Sequence, residues 1–159
     1  FTQSFRIVRW LMGGLDITSY TTLISISPLI LIGLTTLMFI SRDLNIISTG
    51  IQTAISRGVE VIKIQKIGFV MASLLTGAVV AISGPIGFVG LIVPHIVRLM
   101  VGPDLRILLP ASIFFGASFL ILCDTLARII IAPTEIPVGI ITAMLGGPFF
   151  VWLLKRPKN

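Results

Sequence analysis

The sequence predicts an all-α polytopic membrane domain with about five transmembrane helices, and three observations carry that expectation. Of the 159 residues, 55% are apolar and 11% charged, and the mean hydropathy is +1.09, far outside the range of water-soluble domains. The charges are segregated, since residues 17–41 hold none and residues 67–97 hold only one titratable group, His95. With five crossings, Arg42, Arg57, Lys63, Lys66, Arg98, Arg106, Lys155, Arg156 and Lys158 fall on one side, against Arg6, Arg9 and Arg128 on the other. The tendency of Lys and Arg to collect in the cytoplasm makes the first side cytoplasmic, together with the C-terminus. The net charge of +6 is thereby explained by topology rather than by nucleic acid.

Residues 1–16 are read as an external segment, with Trp10 beside Arg6 and Arg9 suited to the interface belt and Gly13-Gly14 breaking any helix. Residues 17–41 give the first spanning helix, in which Pro28 and Gly33 are tolerable if neighbouring helices cover the freed backbone. As one straight helix, residues 67–97 would be roughly 46 Å long, too long for a hydrocarbon core of about 30 Å. Ser83-Gly84-Pro85 puts a turn in the middle of that run, so it divides into a second helix at 67–82 and a third at 86–101. A single crossing there would split the basic residues five against seven and lose the charge asymmetry. Gly102-Pro103-Asp104 makes a tight turn before a fourth helix at 107–131, on which Asp124 and Arg128 share a face. An external loop or broken helix at 132–137 leads to a fifth helix at 137–154, which Gly146-Gly147-Pro148 should bend or break, and a basic tail at 155–159. The chain opens on Phe1 rather than Met and is expected to be a fragment or a processed product.

Residues 42–66 are the one long polar interval, with six of the eighteen charges. A short amphipathic helix is expected in its middle, with Ile47, Ile51, Ala54 and Ile55 on one face and Ser48, Gln52, Thr53 and Ser56 on the other, until Gly58 interrupts it. Held at the water boundary, that apolar stripe needs either a protein partner or lipid headgroups to bury it.

From Ser83 the chain reads Ser83-Gly84-Pro85-Ile86-Gly87-Phe88-Val89-Gly90-Leu91-Ile92-Val93-Pro94-His95-Ile96-Val97-Arg98. Further on come Gly102-Pro103-Asp104, Leu108-Leu109-Pro110, Asp124 with Ala127-Arg128, Glu135-Ile136-Pro137-Val138-Gly139 and Gly146-Gly147-Pro148-Phe149-Phe150. In this order and spacing they closely resemble the FecCD-type permeases, membrane subunits of bacterial and archaeal ABC importers for iron-siderophores, haem and cobalamin. Trp10-Leu11-Met12-Gly13 is similar to the family's segment after its fifth helix. The resemblance implies a homodimeric permease of about ten helices per subunit, of which this chain would be the C-terminal half, in a prokaryotic inner or plasma membrane. It also implies that residues 46–61 form the family's coupling loop, which enters a groove on the ATPase. Ser48, Gly50, Ile51, Ala54, Ile55, Ser56, Arg57 and Gly58 would carry that contact. Thr49 before Gly50 and the pair Ile51-Gln52 depart from the usual pattern, where Leu and an acidic pair are common.

By the same resemblance Arg128, with Arg6 and Arg9 as weaker candidates, would meet a periplasmic or surface-anchored substrate-binding protein; pairing with Asp124 is the equal alternative for Arg128. Ile140, Thr142, Ala143 and Met144 would line the translocation path. Gly84, Pro85, Gly87, Gly90, Pro94, His95 and Arg98 make up the signature, and His95 is expected to be a hydrogen-bonded structural residue near a helix end. No metal or cofactor is expected on the chain, because His95 and Cys123 stand apart without ligand spacing. ATP and Mg belong on a partner ATPase, since there is no G-x-x-x-x-G-K-[ST] loop here. Family frequency puts Fe(III)-siderophore first, then haem and cobalamin. Two other classes are weighed: a structural or assembly subunit without transport, and an intramembrane enzyme, for which the isolated His95, Cys123 and Asp124 form no catalytic set.

Overall fold

The computed structural model describes residues 2–15, 19–130 and 136–155. Asp16, the loop at 132–135, Arg156 and Lys158 lie outside the described residues, as does the side chain of Arg6. Among the described residues the chain forms seven helices: α1 (Thr2–Leu11), α2 (Tyr20–Ser48), α3 (Ile51–Ser56), α4 (Val61–Ser83), α5 (Val89–Val101), α6 (Leu105–Ile130) and α7 (Val138–Lys155). Four of them, α2, α4, α6 and α7, are long and apolar enough to cross a membrane. Their large apolar side chains point outward: Phe39 is 86% exposed and Phe114 76%. Surfaces of that kind are stable in lipid or against other helices, and not in water.

Helix bounds depart from the hydropathy pattern where polar residues continue a helix. α2 runs seven residues past Ser41, because Arg42, Asp43 and Asn45 are compatible with helix and nothing stops it until Gly50, which has φ +133°. Ile47 therefore belongs to α2 and not to the short amphipathic helix, which is only Ile51–Ser56. α4 starts at Val61, six residues before the apolar run, so Lys63 and Lys66 decorate its first turns. Inside the spans, hydroxyls bond back to their own helix, as Thr36 Oγ1 does to the Ile32 carbonyl at 2.7 Å and Thr76 Oγ1 to Ala72 at 2.8 Å. α7 continues as one helix through Gly146-Gly147-Pro148, so the chain does not break there. The ring of Phe88 fills the space beside Gly146, and packed neighbours let a membrane helix keep a proline.

The helix expected at 86–101 is shorter in the structure, Val89–Val101. α5 has 13 residues, about 20 Å, too short for a core of about 30 Å. Its start lies beside Gly146, two turns into α7, and residues 84–88 before it are non-helical. α2 packs on α4, α5 on α6, α6 on α7, and α2 on α6. The buried core has two clusters: Val93, Val97 and Leu108 between α5 and α6, and Cys123, Ala127, Val138 and Ile141 between α6 and α7. Phe119 packs against both and joins them.

Candidate coupling and docking surfaces

α3 sits at the end of the bundle where α2 finishes and α4 begins. Gly50 and Gly58 (φ +78°) bound it, and Val59 N–H closes it on the Ala54 carbonyl at 3.0 Å. Ala54 is fully buried and anchors the helix, while Ile51 and Ile55 are more than half exposed. The expected single face of Ile51, Ala54 and Ile55 is therefore divided, with one residue holding the helix and two offered outward. Ser48, Ser56, Arg57 and Gly58 are exposed beside them and Gly50 is partly covered. Ile55 also borders an open groove of about 530 Å3, floored by Val61, Ile62 and Ile67 and edged by Glu60, Lys63 and Lys66.

The opposite end is tied by backbone. Gly14 N–H donates to the Ser83 carbonyl at 2.9 Å and Gly139 N–H to the Gly13 carbonyl at 3.2 Å. Side chains at Gly84 or Gly139 would run into the carbonyls of Trp10 and Met12, respectively. Beside this junction Arg128 Nε donates to Asp124 Oδ2 at 2.8 Å, and the second nitrogen reaches Oδ1 at 3.4 Å. Arg9, Gly14 and Pro137 line the same small recess as this pair. The internal ion pair is thus formed, and Arg128, about half exposed, still presents part of its surface.

Within the signature, Gly84 takes φ +68° at the turn, Gly87 and Gly90 have open space beside them, and Phe88, with φ +66°, starts α5 in the left-handed region. Pro94 lies inside α5 and Arg98 in its exposed last turn. His95 differs from expectation: its Nε2 is buried with no hydrogen-bond partner among the described residues, and its ring meets Phe149 edge-on at 5.8 Å. Thr142 also differs from its grouping. It is fully buried and bonds back to the Gly139 carbonyl at 3.0 Å, while Ile140, Ala143 and Met144 are exposed. Those four residues share no single face.

Asn45, which sequence reasoning left without a role, and Asp104, read there only as part of a tight turn, stand out at the α3 end. Asn45 Nδ2 donates to Asp104 Oδ1 at 2.6 Å, and Asn45 Oδ1 accepts the Leu105 N–H at 3.0 Å. The Arg106 backbone N–H, at 2.9 Å, and then the Asn45 amide hold the Asp104 carboxyl below the ordinary aspartate range. Asp before a predicted helix is a capping signal that could have been used; nothing in the sequence pointed to Asn45 as its partner. No group of three or more potential metal ligands occurs among the described residues.

Four helices long and apolar enough to cross a membrane, a short exposed helix between two of them and a tight glycine junction at the far end define a polytopic membrane component. The FecCD transport family model matches residues 1–156, and the chain belongs to that family. It is 42% identical over 150 residues to the hemin transport system permease protein HmuU of Yersinia pestis, covering 94% of this chain and 45% of that protein. It is 44% identical over 146 residues to the cobalamin import system permease protein BtuC of Halobacterium salinarum, covering 92% and 39%. Among solved structures, an ABC transporter assigned to the metal-chelate type, in an inward-facing conformation, aligns with a TM-score of 0.86 at 34% identity, over 96% of this chain and 50% of that one. The chain thus spans half or less of the length of these proteins.

Proposed function

We propose that the chain is part of the permease of an ATP-driven importer, with an Fe(III)-siderophore as the first substrate to test. The observation that carries the reading is α3, a short helix anchored by buried Ala54 between two spanning helices, with Ile51 and Ile55 exposed, in a chain of the FecCD transport family. A groove on a separate ATPase, which binds ATP and Mg, covers those two isoleucines. Closure of the ATPase pushes α3 as a rigid body, and the attached α2 and α4 tilt with it. Alternating access follows from that tilt.

The α3 end faces the cytoplasm of a prokaryotic cell. The distribution of basic residues supports this, with Arg42, Arg57, Lys63, Lys66, Arg98 and Arg106 at or near that end and Arg9 and Arg128 at the other. Arg128, with Arg9 and Arg6, receives the substrate-binding protein. A second permease subunit packs beside this one, with Ile140, Ala143 and Met144 of α7 toward the path, and Thr142 holds α7 in the core. The path is apolar and weakly polar, which suits passage of a bulky chelate better than tight retention.

Haem or cobalamin is the second reading, favoured by the similarity to the hemin and cobalamin permeases above. The test is uptake into proteoliposomes holding the complete permease, its ATPase and its binding protein, with Fe(III)-siderophores, haem and cobalamin offered in turn. ATP-dependent accumulation of a siderophore supports the reading, accumulation of a tetrapyrrole alone selects the second, and accumulation of none contradicts the importer role.

A further inference from the structure

We infer that Asn45 and Asp104 form a strut through which α3 moves the α5–α6 hairpin, a positioning pair for coupling that rests on the importer reading above. The two residues are 59 apart in sequence and meet across the seam between the α2–α4 pair and the α5–α7 layer. Asn45 uses both ends of its amide, donating to Asp104 Oδ1 and accepting from Leu105 N–H. Only one orientation of the amide satisfies both partners. Asp104 in turn accepts the Arg106 N–H on its carboxylate and the Leu108 N–H, at 2.8 Å, on its carbonyl. Asp104 alone would suffice to cap α6. The added partner comes from the last turn of α2, separated from α3 by Thr49 and Gly50 alone.

The other side of the link is stiff as well. Leu108, on the first turn of α6, packs with Val93 and Val97 of α5, and Leu105 packs against that cluster. A shift of the α2 end therefore reaches α6 through two hydrogen bonds, one of them charge-assisted, and reaches α5 through a close-packed apolar seam. α2 also packs directly on α6, and the strut adds a directional link at the α3 end; without it α3 would tilt α2 and α4 while the start of the hairpin followed less closely. Hydrolysis would continue and transport would not keep pace.

The experiment compares substrate moved per ATP hydrolysed for wild type, Asn45→Ala, Asn45→Asp and the exchange pair Asn45→Asp with Asp104→Asn, in the complete reconstituted transporter. Asn45→Ala should keep its ATPase turnover and move about five-fold less substrate per ATP, the scale of a typical coupling energy. Asn45→Asp alone sets two carboxylates against each other and should be worse. The exchange pair restores a donor, at Asn in position 104, facing an acceptor at position 45, and should recover most of the ratio. An unchanged ratio in Asn45→Ala, or transport and hydrolysis falling together in proportion, would overturn the strut. Wild-type protein without ATP-driven uptake of any substrate would instead sink the importer reading itself.

Discussion

The ring of Phe88 occupies the place that a side chain at Gly146 would need, half-way along α7. Phe88 does this with φ +66°, the one positive value among the described non-glycine residues. A left-handed phenylalanine is costly and persists only where its surroundings hold it. The consequence is geometric: the loop at 84–88 is pinned at depth, and α5 can be short.

That contact predicts the effect of Gly146→Ala. A methyl group there collides with the Cβ and the ring of Phe88, and overpacking of this kind costs about 1–3 kcal/mol. Thermal unfolding of the complete permease in detergent should show the loss, and Phe88→Gly in the same background, which removes the clashing Cβ as well as the ring and tolerates the positive φ, should recover much of it. An equal loss with and without the phenylalanine would mean that the clash is not the cause.

The glycines of the signature should behave unequally. Gly84 combines φ +68° with the Trp10 carbonyl at its back, so Gly84→Ala should deplete folded protein severely. Gly87 and Gly90 have nothing within 4 Å of an added methyl group. Alanine at either should stay within about 0.5 kcal/mol of wild type, as for changes away from a constrained feature. Expression level and melting temperature of the three variants check the contrast.

Much of this was legible in the sequence, and the misses have physical causes. Length and apolar runs located α2, α4, α6 and α7, since hydrocarbon demands about 20 apolar residues whatever the tertiary context. Hydropathy could not place the end of α2, because the helix stops where Gly50 permits a turn and not where Arg42 meets water. The depth of α5 depends on Phe88 meeting Gly146, a contact between elements that no local pattern encodes. The outward placement of Ile51 and Ile55 agrees with an uncovered stripe, yet the separate anchoring role of Ala54 required coordinates. Thr142 reads as one more weakly polar residue on an apolar helix, and only its bond to Gly139 shows it to be interior.

Arg128 can be tested for two roles at once. Exchanging Asp124→Arg with Arg128→Asp preserves a four-residue ion pair while reversing the sign of the more exposed position. If a binding protein reads the arginine, its affinity should fall about ten-fold or more, with a melting temperature within a few degrees of wild type. A large loss of stability with unchanged affinity would show that Arg128 serves only the internal pair.

Asp104 gives a pH signature with a defined sign. Its folded value is lowered, so its contribution to α6 is complete above the unfolded aspartate value and is lost as pH falls through the lower folded one. The window is below about pH 4. Stability measured from pH 6 down to pH 3 should decline less steeply in Asp104→Asn than in wild type; parallel curves would contradict this.

The central claim is that α3 is the contact for a cytoplasmic ATPase, and one cross-linking measurement tests it most directly. Ser56→Cys, exposed at the end of α3, is placed in the complete permease and paired with a cysteine in the groove of the co-expressed ATPase. Native Cys123 is buried and gives little background. The account predicts a cross-link whose yield changes with ATP and which vanishes when the cysteine is moved to exposed Leu15 at the opposite end. Labelling of Ser56→Cys from outside the cell, with no cross-link to any ATPase, would contradict both the topology and the importer role.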